Sequence, residues 1–567
     1  MPINRINISQ YPSSVLWISM WSFAIAVTWL LPNHYHPWAT FHSDIWMAVM
    51  MGIAAAVIFW REPSKIQWHL MPIAVAAVVP IPFVQHSVGL IIFSGEAWMS
   101  TVYLLGLLLT LILGARWESI HKGQATDALL ASFCVASIVS VGLQLYQFFG
   151  LDGLEMWTAS LAVGRPSANL NQPNQLATLI LWGILAGAWG YLRKKISTLV
   201  AVMLTLYLLF GIALTQSRTA WLGLALITAT AWIWRGLWPS RQTPWVVSTL
   251  FFYFIACVVG LPFLSDLFSP GMQNRGMDAT SGHLRIAAYR MGLDALMQQP
   301  WWGYGLNQLD VAQLGVAERH PNLSGFFIYS HNLFLDLFLW FGVPLGGMIS
   351  LSVIVWALVA IRRVKNAENA VIMLVLGVIG IHAMLEFPLH HAYFLLPTGV
   401  LIGCLNYRLN IGHIFSSTRW VYYSIWLFSI SLALVIARDY LRIETSYRNF
   451  RLEVARIGSP PPDPPPKVLV LNQLAAFIHL LREPVDGLAS QNDIENRRRV
   501  TVTFPTPVNL FNMVKILALN HQPEEAERWV LKIRQTMSIN QYKQLRSVWM
   551  EQSRTESDLS AVVWPEE

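Results

Sequence analysis

The sequence predicts an all-α polytopic membrane protein, with about thirteen transmembrane helices, one large external loop and a small C-terminal helical soluble domain. Three observations predict it. The first is composition: 55% of the 567 residues are hydrophobic and 12% are charged, where a soluble protein carries about 25% charged residues. The second is the recurrence of apolar stretches of about 20 residues, the length that the hydrocarbon core demands. The third is the alternation of positive charge in the short loops between them.

Candidate spans fall near residues 14–31, 43–60, 66–84, 97–114, 127–149, 174–192, 197–215, 219–238, 245–264, 344–361, 369–386, 391–407 and 420–437. The first is long enough to span and lacks a clear small-x-small cleavage site, so it reads as a helix and not as a removable leader. Alternate connections carry Arg61/Lys65, Arg116/Lys122, Arg193/Lys194/Lys195, Arg235/Arg241, Arg362/Arg363/Lys365 and Arg408/Arg419. Positive loops face the cytoplasm, so the N-terminus is expected inside and the C-terminal region outside. The formal charge of +7 is then largely a topology signal, and a nucleic-acid partner is not implied. Cys134, Cys257 and Cys404 all lie in apolar stretches and read as small buried hydrophobes.

The expected organisation is N-terminal transmembrane helices over 1–264, an external loop with a surface helix over 265–343, further transmembrane helices over 344–437 and a soluble helical domain over 438–567. In the loop, 282–299 (GHLRIAAYRMGLDALMQQ) has helical periodicity and places Arg285 and Arg290 on an external helix. As one helix, residues 331–361 would be about 46 Å long, against a core of about 30 Å. Phe341-Gly-Val-Pro344 is expected to break it, leaving 332–340 as a short surface helix and 344–361 as the span. The C-terminal region holds about half of the charged residues, a shift towards soluble composition. Its 459–466 stretch, SPPPDPPP, reads as a stiff linker. Amphipathic helices are expected at 467–482 and 508–550, and 522–528 (QPEEAER) resembles the start of one tetratricopeptide-like helix.

The polar centre of the chain is 324–340, SGFFIYSHNLFLDLFLW, where His331, Asn332 and Asp336 interrupt an apolar run. Such groups are expensive in hydrocarbon and mark functional sites by default. An imidazole near neutral pKa can take a proton from a hydroxyl, although a satisfied core histidine capping a helix reads equally well on chemistry alone. Asp336 lies five positions on, about 140° round a helix, and so off the imidazole's side. Four further polar clusters flank spans on the same face. They are 164–175 (GRPSANLNQPNQ, with Arg165, Gln172 and Gln175), 215–219 (TQSRT, with Arg218), the Arg285/Arg290 pair, and 386–393 (EFPLHHAY, with Glu386, His390, His391 and Tyr393). Arginines gathered outside at the membrane suit a phosphorylated lipid, since the guanidinium fork binds phosphate oxygens bidentately; a lone interfacial arginine more often only snorkels. No phosphate-binding loop, nucleotide fingerprint or serine elbow occurs, and the His390-His391 pair lacks further ligands at metal spacing.

The motifs GRPSANLNQPNQLAT, TQSRTAWLG, SGHLRIAAYRMGLDALMQQPWWGYGLN, YSHNLFLDLFLWFGVPLG and EFPLHHAYFLLP together resemble the O-antigen ligase/polymerase superfamily, and more closely its PglL-type bacterial protein O-oligosaccharyltransferases. The resemblance runs from about 160 to 410 and continues more weakly beyond. It implies a multi-pass enzyme of the bacterial inner membrane with its site, large loop and C-terminal domain in the periplasm. Such an enzyme moves a preassembled glycan en bloc from undecaprenyl diphosphate to Ser or Thr of an exported protein such as a pilin, without metal or nucleotide. His331 is then the expected general base, and Arg218 and Arg285 the diphosphate clamps, with Arg165 and Arg290 as further candidates. Gln172, Gln175 and Asn332 would contact glycan or diphosphate, and Tyr393 and Glu386 would shape the acceptor side. Two alternatives stay open: a ligase to lipid A core or a repeat-unit polymerase using the same donor, and a transporter or flippase, which internal repeats and mid-membrane polar groups would signal.

Overall fold

The computed structural model describes residues 11–61, 65–158, 165–268, 280–458 and 464–566. In chain order its elements are α1 (Tyr11–Val27), α2 (Phe41–Arg61), β1 (Ile66–His69), α3 (Leu70–Val78), α4 (Ile81–Ser87), α5 (Ser94–Ile120), α6 (Gln124–Phe148), α7 (Pro173–Leu192), α8 (Thr198–Thr215) and α9 (Arg218–Ile233). Then come α10 (Thr243–Phe268), α11 (Thr280–Gln298), α12 (Leu309–Val316), α13 (Leu333–Arg363), α14 (Ala367–Ala383), α15 (Ala392–Arg408), β2 (His413–Ser417) and α16 (Arg419–Val454). The chain closes with α17 (Asn472–Arg482), α18 (Gln491–Thr503), α19 (Pro507–Leu519), α20 (Pro523–Thr536) and α21 (Ile539–Gln552). This is a nearly all-helical, multi-pass membrane protein.

Nine helical stretches among the described residues are long and apolar enough to cross a membrane. Twelve of the thirteen expected spans fall largely on single helices. Four of them, on α1, α9, α14 and α15, fall on helices of 17, 16, 17 and 17 residues, about 24–26 Å at 1.5 Å per residue. The 197–238 stretch does divide: Gln216 takes a left-handed turn (φ 49°) and Ser217 caps α9 by accepting from the Ala220 N–H. The expected span at 66–84 begins instead with β1, which pairs antiparallel with β2, the Trp68 indole N–H donating to Ser417 Oγ at 2.7 Å. The helix expected to end at 437 continues as α16 to Val454, 36 residues in all, about 54 Å. Residues 459–463 of the proline-rich stretch, 269–271 of the loop and Gly164 lie outside the described residues.

The chain forms two compact units. One comprises residues 1–76, 105–276 and 355–430. At its centre α7 packs against α6, α8, α9 and α14, and most of α7 is buried. Close approach is built into the sequence: a Cβ on Gly183 of α7 would come within 2.4 Å of Ser137 Oγ on α6.

The other unit comprises 77–104, 277–354 and 431–567. In it α13 breaks as the sequence predicts, at Gly342, with φ 74° and ψ 175°. The groups freed by the break are satisfied by the 300–306 loop and Gln85. The Tyr304 N–H donates to Leu339 O (2.7 Å), the Val343 N–H to Pro300 O (2.7 Å) and Gln85 Nε2 to Trp340 O (2.7 Å). The amphipathic α19, α20 and α21 close a separate core around Leu510, Leu517, Trp529, Ile533 and Trp549. α18, which the sequence reading passed over, joins it through Ile494 and starts with a reciprocal Ser490–Asp493 cap. Asn322, in the loop before α13, donates to the carbonyls of Arg534 and Met537 at the end of α20, so the C-terminal helices brace that loop.

Candidate active site

The candidate residues fall into one group in each unit. In the second unit His331 sits on the turn into α13, half-buried, with φ 61°. A histidine in the left-handed region is uncommon and needs support from its surroundings. Three contacts supply it. His331 Nδ1 lies 3.0 Å from Tyr329 O; a carbonyl only accepts, so Nδ1 carries the proton and Nε2 presents the basic lone pair. Asp336 Oδ1 accepts from the Ser330 N–H at 2.8 Å. Tyr289 OH of α11 reaches His331 O at 3.4 Å. The imidazole edge also meets Phe327, with ring centroids 5.8 Å apart.

Asn332 serves as the cap of α13, its Oδ1 accepting from the N–H groups of Phe334 and Leu335 at 3.1 and 3.2 Å. Arg285 and Arg290 are both exposed on α11. Arg285 stands four residues before Tyr289, and so on the helix face that touches the His331 turn.

In the first unit two amides of the 165–175 stretch, Gln172 and Asn174, converge on Glu386. Glu386 Oε2 accepts from Gln172 Nε2 at 2.9 Å and Oε1 accepts from Asn174 Nδ2. His382, one turn earlier on α14, donates from Nε2 to Glu386 Oε2 (3.2 Å), while its Nδ1 meets Thr178 Oγ1 (2.8 Å). Ser217, the cap of α9, donates to Asn174 Oδ1 at 2.6 Å. This chain of bonds ends one residue before Arg218, which is exposed at the N-terminus of α9. There the helix dipole and an arginine face the same solvent and suit an anion. Arg165 is buried and directs Nη1 to the carbonyls of Thr215 and Gln216 (3.4 and 3.5 Å). It shapes the turn that carries Arg218.

A second chain runs beside the first. Tyr393 OH donates to Gln175 Oε1 (2.8 Å), and Gln175 Nε2 lies 2.9 Å from His391 Nε2. The amide can only donate there, so His391 accepts as a neutral ring. Burial pushes His390 below its ordinary value, to about 3. Asp44, from α2, caps α15 by accepting from the Ala392 N–H (2.6 Å).

Sequence reasoning did not find the roles of Asp336, Asn174, Ser217, His382 and Asp44. A signal existed for two of them: Asn174 lies inside the Asn/Gln cluster and Ser217 inside the TQSRT turn.

Comparison with known proteins gives the family. The family described as O-antigen ligase matches residues 203–350, that described as virulence factor membrane-bound polymerase, C-terminal, matches 370–551, and protein glycosylation ligase matches 166–189. A general O-oligosaccharyltransferase of Acinetobacter baylyi is 30% identical over 526 residues, covering 89% of this chain and 90% of the relative. A ComP-specific O-oligosaccharyltransferase of the same organism is 28% identical over 393 residues, covering 68% and 70%. Two of the three family matches cover these places: 203–350 includes the turns of Arg218 and His331, and 370–551 includes the Glu386–Tyr393 stretch. The chain belongs to the PglL-type O-oligosaccharyltransferases of the O-antigen ligase superfamily and is a membrane-embedded glycosyltransferase of protein O-glycosylation.

Proposed function

We propose that this enzyme transfers a preassembled oligosaccharide en bloc from undecaprenyl diphosphate to Ser or Thr hydroxyls of exported, pilin-like proteins. In this reading thirteen helices cross the inner membrane, the N-terminus is cytoplasmic, and the site and C-terminal helices face the periplasm. The observation that carries it is the Nδ1 contact of His331 with Tyr329 O, which leaves Nε2 as the proton acceptor. The acceptor hydroxyl gives its proton to His331 Nε2 as its oxygen bonds to the anomeric carbon. The bond from that carbon to the diphosphate oxygen breaks, and undecaprenyl diphosphate leaves with the electron pair. Arg218 and Arg285 neutralise the charge that grows on it. Arg290 lies on the same helix as Arg285 and adds positive potential. Gln172, Gln175 and Asn332 contact glycan or diphosphate, and Tyr393 and Glu386 shape the acceptor side. No metal takes part.

The test is in vitro transfer. Purified protein is mixed with undecaprenyl-diphosphate oligosaccharide and offered an exported Ser-rich protein and lipid A core, with and without EDTA. Glycan on the protein, undiminished by EDTA, is the expected result. Transfer to lipid A core alone would make the enzyme a ligase. Glycan polymer in place of either product would make it a polymerase, the reading favoured by the family match at 370–551.

A further inference from the structure

A cavity of about 200 Å³ opens in the first unit between the α1–α2 loop, the 169–175 stretch and the start of α15. It lies next to the Glu386 cluster but is largely built by residues with no role in the chemistry described above. The loop from α1 to α2 supplies Thr28, Trp29, His34 and Thr40, and the first turn of α2 supplies Ser43. Asn169 ties that loop down, donating from Nδ2 to Trp29 O (3.3 Å) and Leu31 O (2.6 Å), with its Oδ1 3.3 Å from His34 Nε2. Gln147 of α6 holds the 167–168 backbone by accepting both N–H groups at 3.1 and 2.8 Å. The walls are therefore set before any ligand arrives.

Three features describe what fits. First, the lining is uncharged and mixes apolar with polar side chains: among the described residues that form it there is no Lys, Arg, Asp or Glu. A diphosphate gains nothing there. Second, two lining side chains are buried with an unused hydrogen-bonding atom, Thr28 Oγ1 and Trp29 Nε1, at 0% and 2% residue exposure. Buried polar atoms are rarely left so. Third, one wall is aromatic: Phe387, His391 and Tyr393 follow one another, His391 and Tyr393 stacked at 5.0 Å and 11°. Neutral hydroxyl and amide groups facing an aromatic wall match a sugar ring, which has hydroxyls round its edge and an apolar face. The volume, below the roughly 300–1,000 Å³ of sites for larger ligands, suits one ring and not a chain of them.

The position selects which ring. Gln172 lines the cavity and also bonds Glu386, which bonds Asn174, which bonds Ser217, the residue before Arg218. A ring in the cavity is therefore connected, through four hydrogen-bonded side chains, to the end of α9 assigned to the diphosphate.

We propose that this cavity is the subsite for the sugar attached directly to the diphosphate, and that the α1–α2 loop reads its identity through Thr28, Trp29 and His34. The proposal rests on the donor assigned under the proposed function.

The experiment uses full-length protein carrying Thr28→Val, which removes one polar atom at nearly constant volume, or Trp29→Phe, which removes the indole N–H together with part of the ring. Two quantities are read: KM for the undecaprenyl-diphosphate oligosaccharide, and the inhibition constant of undecaprenyl diphosphate bearing no sugar. The expected result is a rise of about fivefold to tenfold in donor KM for each variant, the loss of one neutral hydrogen bond. The inhibition constant stays as in the parent for both variants, and the melting temperature does so for Thr28→Val. Equal shifts in both quantities would place the lipid diphosphate in the cavity, and no shift in either would leave it a structural void; each overturns the proposal. A parent enzyme that transfers nothing from a lipid-diphosphate donor, whatever the variants do, would instead overturn the functional reading beneath it.

Discussion

Asp336 Oδ1 accepts a 2.8 Å hydrogen bond from the backbone N–H of Ser330, the residue that precedes His331. The carboxylate is buried in the first turn of α13, and it reaches back to hold the turn in which His331 has positive φ. The acid thus fixes where the imidazole stands without touching the ring.

This makes Asp336 a positioning residue with a testable signature. Asp336→Ala leaves a buried N–H without its acceptor, at a cost of about 1–3 kcal/mol. We expect kcat to fall roughly tenfold to a hundredfold through misplacement of the base, with donor KM unchanged. Asp336→Asn keeps an accepting oxygen and should restore most of the rate. If Asn is as damaging as Ala, the hydrogen bond to Ser330 is not what matters.

Arg218 stands at the N-terminus of α9, one residue beyond the cap that bonds Asn174. Arg218→Lys keeps the charge but loses the two-pronged geometry for phosphate oxygens. The expected loss in kcat/KM is about tenfold for Lys and about a hundredfold or more for Ala. Equal rates for Arg218→Ala and the parent would remove this arginine from the site.

The break in α13 is specified by backbone. A Cβ on Gly342 would come within 2.4 Å of Trp301 O, at a φ of 74° that side chains rarely adopt. Gly342→Ala should destabilise the protein by roughly 2–3 kcal/mol, read as a lowered melting temperature in detergent. An unchanged melting temperature would mean that the break tolerates a straight helix.

Asp310 on α12 carries a buried Oδ1 with no hydrogen-bond partner among the described residues. Burial, reinforced by the nearby Glu96, raises its carboxyl to about 7, against about 3.9 in an unfolded chain. The folded state therefore binds more protons between those values. Its contribution to stability is complete below about pH 4 and is lost as pH rises through 7. Asp310→Asn should match the parent at pH 4 and melt about 2–4 °C higher at pH 8. A constant difference across that range would assign the effect to something other than this titration.

The readable parts of the molecule were those written in local sequence. Apolar length placed the helices, Gly342 and Pro344 marked the break in α13, and the polar interruption at His331 and Asn332 marked its entry. What escaped depended on contacts between distant segments. His34 meets Asn169 across 135 positions and β1 meets β2 across nearly 350. Asp336 escaped for a different reason. Helical spacing set it about 140° from His331, but α13 begins at Leu333, so His331 lies outside the helix to which that spacing applies. The extension of α16 to Val454 was hidden by its charge: Arg438, Asp439, Arg442 and Glu444 read as the end of a span, yet Tyr440 and Ile443 between them are fully buried.

The central claim is that His331 takes the proton of the acceptor hydroxyl. The most direct measurement is the single-turnover rate of glycan transfer by purified parent enzyme and by His331→Ala, with donor affinity measured for both. Loss of a general base should slow transfer by about a hundredfold to ten-thousandfold while the donor binds as before. A variant that transfers glycan at a rate within about tenfold of the parent would contradict the assignment and move the search for the base to another residue.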